Sequence, residues 1–347
     1  MKKTSLIIMA VLLILNVFTL SGCTNMKYES ASSRKIIIDV DAGADDISSI
    51  ILAAANENVE ILGITVLCGN VDLEQGCKNV LQCLEIVGKS IPVYKGSSSY
   101  MNDLEITTYS VFGKDGMGDQ DLIHPTTKPE EKDAVDFIIE TVNKYPNEVD
   151  IIMLGPATNI AKAIKYDSES MKKVKGIWSM GTTGLGTGNA SPVAEYNVYK
   201  DPLAYKIVMD FGVDVTIIGF NICESYDALW SEKQFEKLSS LNKKGEFIAK
   251  SFKKIREFYK NNGYDDTVTN CDGLAMICYL YPSFIKKTFV MHASVMVDEN
   301  ETYGQVIFYK KGFNYDIETK DDFKYNVTLI TDVEKKDFFE LFYNSIK

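Results

Sequence analysis

Histidine is almost missing from this chain: among 347 residues only His124 and His292 occur. A metal centre built on several imidazoles is therefore excluded. Seven cysteines are present, but no two stand in a C-x-x-C pair, which argues against a zinc ribbon. Positive charge is in deficit as well, with 37 Lys and Arg against 48 Asp and Glu and a formal net charge of -11. Nucleic acid is excluded as a partner, because phosphate recognition needs basic clusters. There is no internal repeat, no low-complexity tract and no interdomain linker. What remains, 46% hydrophobic and 24% charged residues, is an ordinary globular composition, and the length suits one large α/β core.

The longest apolar run lies at the N-terminus. Lys2 and Lys3 precede an uncharged stretch over residues 6–20, followed by Leu20-Ser21-Gly22-Cys23. Charge, apolar core and small residues in that order form a secretory signal pattern. Because it ends in cysteine, it resembles a bacterial lipoprotein signal. The resemblance implies cleavage before Cys23, a lipid on its thiol, and residence on the extracytoplasmic side of the cell membrane, held by the lipid anchor alone. A plain membrane-spanning anchor is the competing reading. The expected organisation is a signal peptide over 1–22, a polar tether over 23–34, and a single domain over 35–347. The six cysteines beyond Cys23 read mostly as buried thiols, with no pairing legible.

Past residue 35, β-branched runs alternate with helical patterns. Strands are expected over 35–40, 59–66, 91–94, 149–154 and 174–180. Helices are expected over 45–56, 73–87 (closed by Gly88), 134–144 and 157–164. This alternation predicts an open, mostly parallel sheet flanked by helices, with ligands beyond the carboxyl ends of its strands. After residue 201 the pattern becomes more helical, with candidates over 203–211, 246–259 and 272–280. Residues 294–330 alternate like antiparallel strands turning at Lys310-Lys311-Gly312, and a last helix is expected over 333–345.

The stretch KIIIDVDAGADD, residues 35–46, places Asp39, Asp41, Asp45 and Asp46 at the end of a buried strand. Helix capping accounts for Asp45 and Asp46 but not for the other two. Period two puts Asp39 and Asp41 on one face, and a turn at Gly43 folds Asp46 back towards Asp41. Oxygen-only ligands of this kind suit a hard cation, calcium or magnesium. An EF-hand register fails, since Ala44 and Ile50 stand where glycine and glutamate are needed. The downstream motifs also do not fit a phosphatase that opens with D-x-D.

They fit another family. D-x-D-x-G-x-D-D is followed by Gly69-Asn70-Val71, then GKDGMG at 113–118, LGPATN at 154–159, NASPVAEYNVYKDP at 189–202, and Cys271-Asp272-Gly273. This ordered series resembles the nucleoside hydrolases that prefer inosine and uridine. The resemblance implies a Rossmann-like nucleoside hydrolase fold and hydrolysis of the N-glycosidic bond of ribonucleosides with bound Ca2+. It implies metal ligation by Asp41, Asp46, the carbonyl of Leu154, and Asp272. Asp41 would also take the proton from the attacking water. Asp45, Asn70, Asn189, Glu195 and Asn197 would hold the sugar hydroxyls. Relatives of this kind are usually dimers or tetramers, so a homodimer or homotetramer is expected.

Two departures stand out. Cys271 occupies a position where many relatives place a histidine, and Phe112 replaces a second one. A protonated thiol at Cys271 is one source of the leaving-group proton. Tyr264, Asp265, Asp266 and solvent are others, and simple packing of Cys271 is the bland reading. Phe112 either stacks on a base or belongs to the core. Ala42 replaces a frequent proline, which is expected to loosen the turn. The missing histidine and the lipid anchor also leave room for a non-catalytic nucleoside- or sugar-binding lipoprotein.

Overall fold

A computed structural model describes residues 28, 33–102, 110–119, 124–263, 266–315 and 322–347. Cys23, Tyr264 and Asp265 lie outside the described residues. Nine strands form one sheet: β1 (Arg34–Val40), β2 (Val59–Val66), β3 (Val93–Lys95), β4 (Val149–Met153), β5 (Gly176–Met180), β6 (Val215–Ile218), then β9 (Ile285–Val295), β10 (Val306–Lys310) and β11 (Val327–Val333). The short strands β7 (Trp230–Ser231) and β8 (Thr267–Val268) pair separately. The order across the large sheet is β10-β9-β11-β6-β5-β4-β1-β2-β3. From β11 to β3 every pairing is parallel, and β9 runs antiparallel to both its neighbours.

β1 sits inside the parallel part, in register with β2 through Ile38 and Ile64 and with β4 through Ile38 and Ile152. Both its faces are covered, which is why Ile36, Ile37 and Ile38 form an unbroken, fully buried apolar run. Helices pack on both sides: α1 (Ala44–Ala55), α2 (Leu73–Val87), α3 (Ala134–Lys144), α4 (Thr158–Tyr166), α5 (Pro202–Phe211), α6 (Glu232–Leu241), α7 (Lys243–Ser251), α8 (Lys253–Asn261), α9 (Cys271–Leu280) and α10 (Phe338–Ser345). Local chemistry sets their ends. Asp72 caps α2 by accepting from the Gln75 amide, and Gly88 closes it in the left-handed region at φ 67°. Two apolar cores result, one on each face of the sheet.

The alternating first half follows the sequence pattern within a few residues. The second half departs from it. β6 was hidden in a stretch that reads as helical, because Val215–Ile218 is too short to show a period. The single helix expected over 246–259 is two, α7 and α8, separated at Phe252, whose fully buried ring packs on Phe235. Helix α6 was not anticipated. The antiparallel portion begins at Ile285 rather than residue 294, and β11 pairs parallel with β6 on its other side. The last helix starts only at Phe338. The tether reading over 23–34 also needs correction: Arg34 already belongs to β1, and Tyr28 is buried against the domain.

Candidate active site

The carboxyl ends of β1, β4 and β5 and the start of α9 surround a cavity of about 500 Å³. Asp41, Asp45, Asn70, Leu154, Asn189, Glu195, Asn197, Cys271 and Asp272 all line it. Asp46 lies just beneath, and neither histidine reaches it.

Backbone geometry brings the acids together. Ala42 follows β1 in the left-handed region at φ 56°, and its carbonyl accepts from Asn79 Nδ2 at 3.0 Å. A proline, locked near φ -65°, has no access to that conformation. The substitution thus does more than loosen the turn, because this turn is one that proline cannot make. Gly43 then caps α1, its amide donating to Asp46 Oδ2 at 2.9 Å. Asp41 accepts from the Asn70 amide at 2.8 Å and from Asn70 Nδ2 at 3.1 Å. Gly69 is required beside it, since a Cβ there would lie 2.0 Å from Asp41 Oδ2. Asp272 arrives on the first turn of α9. Asn270 caps that helix through the Gly273 amide at 3.0 Å, and its Oδ1 also accepts from Ser48 of α1 at 2.9 Å. This bridge fixes the two acidic helix ends to one another.

As a result, carboxylate oxygens of Asp45, Asp46 and Asp272 lie within 4.8 Å of one another. Oδ1 of Asp45 and Oδ1 of Asp46 have no hydrogen-bond partner. Burial raises all the acids here, and mutual repulsion adds to it at Asp45, Asp46 and Asp272, whereas hydrogen bonds from Asn70 pull Asp41 back down. Asp41 is pushed up to about 6 and Asp45 to about 7, while Asp46 and Asp272 rise well above the carboxylate range. Asp39 is separate from this group. It is fully buried, with Oδ1 accepting from Thr65 Oγ1 at 2.5 Å and Asn159 Nδ2 at 2.8 Å. Burial raises it to about 7, and it braces the end of β1 against β2 and α4 rather than reaching the cavity.

Glu195 caps the short helix Tyr196–Lys200, accepting from the Asn197 amide at 3.0 Å, and burial lifts it to about 8. Asn197 Nδ2 donates to the Leu154 carbonyl at 2.6 Å. Asn189 Oδ1 accepts from the Tyr196 amide at 2.8 Å. At the other end the wall is apolar: Val111, Phe112, Phe220, Ile255, Phe258 and Tyr259. Phe112 both lines the cavity and meets Phe252 edge-on at 6.4 Å, so the two readings of it coexist. Cys271 is buried beside Cys223, whose thiol donates to the Gly219 carbonyl at 3.8 Å. The influence of Cys223, together with burial, raises the Cys271 thiol well above its ordinary value.

A family model for the inosine-uridine preferring nucleoside hydrolases matches residues 36–340. The chain belongs to that family. It is 33% identical over 258 residues to a probable uridine nucleosidase 1 of Oryza sativa subsp. japonica, covering 74% of this chain and 79% of that protein. Uridine nucleosidase 1 of Arabidopsis thaliana is 43% identical over 191 residues, and there the chain spans 57% of the relative's length. Among solved structures, the plant nucleoside hydrolase PpNRh1 superposes with a TM-score of 0.84 at 27% identity, covering 90% of this chain and 98% of that one. Membership makes this chain a nucleoside hydrolase with a nucleoside as its substrate, in a family that is generally metal-dependent.

The site residues expected from the sequence and lying within the described residues face or underlie one cavity, and Asp45, Asp46 and Asp272 form the tight carboxylate trio. Sequence reasoning missed Ser48 and Asn270, which join the helix ends, and Thr65 and Asn159, which hold Asp39. An asparagine immediately before Cys271-Asp272-Gly273 was the available signal, as a helix cap. It also missed Glu224, which lines the cavity near Phe220 and is raised by burial.

Proposed function

We propose that the chain hydrolyses the N-glycosidic bond of ribonucleosides to nucleobase and ribose, with Ca2+ bound among its acids, on the extracytoplasmic face of a membrane to which lipid on Cys23 anchors it. One observation carries the catalytic part: three carboxylates from two helices, Asp46 and Asp272 buried and Asp45 half-buried, converge within 4.8 Å beside the cavity, with oxygens left unpartnered. Buried like charges do not stay ionised together without a counter-ion. Asp46, Asp272 and Asp41, with the Leu154 carbonyl on the same wall, would hold it. An all-oxygen donor set fits a hard cation, and a wall this broad fits calcium better than magnesium. When bound, such an ion supplies positive charge that keeps the acids ionised and polarises its oxygen ligands.

Asp41, fixed by two bonds from Asn70, accepts a proton from the attacking water. Asp45, Asn70, Asn189, Glu195 and Asn197 bind and orient the sugar hydroxyls. As the base departs, the sugar gains oxocarbenium character, and the surrounding carboxylates stabilise that charge. The base leaves towards Phe112, Phe258 and Tyr259. Cys271, in the place where many relatives carry histidine, borders that path with its proton present, but burial and the neighbouring Cys223 raise it and make it a reluctant acid. A product assay on a nucleoside panel, before and after chelation and with calcium restored, tests this reading. Release of base and ribose only with calcium is expected. An unchanged rate after complete chelation, or no cleavage of any nucleoside with calcium present, would overturn it.

A further inference from the structure

We propose that Tyr28 clasps the N-terminal segment to the domain and so selects the face that lies against a phospholipid surface. The inference rests on the reading that Cys23 carries lipid. The ring of Tyr28 is 7% exposed and meets Phe284 edge-on at 5.9 Å, and its hydroxyl donates to the Asp337 carboxylate. Both partners belong to the C-terminal part of the chain, beside the far end of α9 and the start of α10. A segment that served only as a solvated leash would have no reason to bury an aromatic ring there. Removing that ring from water favours the docked arrangement and opposes the entropy lost in ordering it.

The clasp shortens the leash. Only Thr24, Asn25, Met26 and Lys27 separate Cys23 from Tyr28, a reach of about 17 Å when fully extended. Without it the leash would run to Arg34 and reach roughly twice as far. A lipid on Cys23 must therefore lie close to the patch around Phe284 and Asp337. That patch exposes Lys286, Lys287 and Lys336. Of the nearby acids, Asp332 and Glu334 face Lys286 at 3.7 Å, Asp337 accepts from the Tyr28 hydroxyl, and Glu340 stands exposed. The charges of this patch nearly cancel, so the short leash rather than charge turns this side towards the lipid surface. The same arrangement keeps the cavity clear. Asp272 and Cys271 open α9, whereas the clasp lies beyond its C-terminal end, ten residues or about 15 Å along the helix.

The test uses the full-length acylated protein on vesicles of equal parts phosphatidylcholine and phosphatidylglycerol, with a lysine-acylating reagent read out by mass spectrometry. Lys286, Lys287 and Lys336 are expected to react at least about five-fold more slowly on vesicles than in detergent. Lys132, exposed next to the opposite sheet edge, should not change. Tyr28→Ala should abolish the protection without altering acylation, vesicle partitioning or nucleoside turnover, while Tyr28→Phe should retain most of it. Equal labelling in both states of the wild type, or protection that survives Tyr28→Ala, overturns the proposal. Absence of an acyl mass on Cys23 would instead defeat the anchoring reading. A chain with hexahistidine in place of residues 1–23, held on nickel-chelating vesicles, then puts the clasp to the same footprint on its own.

Discussion

Where we propose that the sugar sits, the cavity is walled by buried side chains, whereas at the proposed base end the wall is half open. Asp41, Asp46, Glu195 and Asp272 are at most 3% exposed; the first three each accept from a backbone amide, and Asp272 is set by the first turn of α9. Phe258, by contrast, is 40% exposed, and it shares α8 with Ile255 and Tyr259. The difference teaches where selectivity and chemistry are divided. Charge that develops on the sugar must meet preorganised groups, so that end tolerates no slack. A departing base needs contact area more than fixed dipoles, so that end can be assembled from apolar side chains of a peripheral helix.

The largest effect should come from the sugar end. Asp41→Ala is expected to lower kcat about 10³-fold with the fold intact by circular dichroism, as befits loss of a general base. Near-normal turnover would break the contrast between the two ends. Next is removal of the cation. Burial raises Asp39, Asp41 and Asp45 from 3.8 to between about 6 and 7. Between those values the cation-free folded state binds more protons than the unfolded chain, so its stability falls as pH rises through that window. A bound cation offsets the loss. Chelation should therefore lower Tm more at pH 8 than at pH 5, as followed by calorimetry, and equal drops would show that the acids hold no ion.

The base end should respond more gently. Phe258→Ala is expected to raise KM roughly five-fold and leave kcat within about two-fold, the sign of lost uniform binding. A selective fall in kcat would instead place a transition-state contact there. Cys271→Ser should change kcat by less than about ten-fold, because the buried thiol beside Cys223 is reluctant to give up a proton. A pH profile that loses its basic limb in this variant would make Cys271 the acid. Smallest of all, Ala42→Gly should stabilise the protein by about 0.5–1 kcal/mol in denaturant titration, since Ala42 stands at φ 56°.

Much of this was legible in the residues because the first half of the chain is governed by local rules. An unbroken isoleucine run suits an interior parallel strand, Gly88 can close a helix where other residues resist, and aspartates clustered at one strand end mark a candidate site. The second half was less legible. Val215–Ile218 is a core strand of four residues, and Phe252 divides a pattern that reads as one helix, because neighbours distant in sequence decide both.

By itself, then, the sequence determined the alternating architecture, the acidic strand end and the family, since these depend on residue type and short spacing. Only the tertiary structure decided that Asp45 completes the carboxylate trio, that Asn270 and Ser48 bind the two acidic helix ends together, that Ala42 turns left-handed, and that Tyr28 leaves the tether for the domain surface. Each of these is a meeting of side chains, or a backbone angle, set by packing between segments that no local pattern relates.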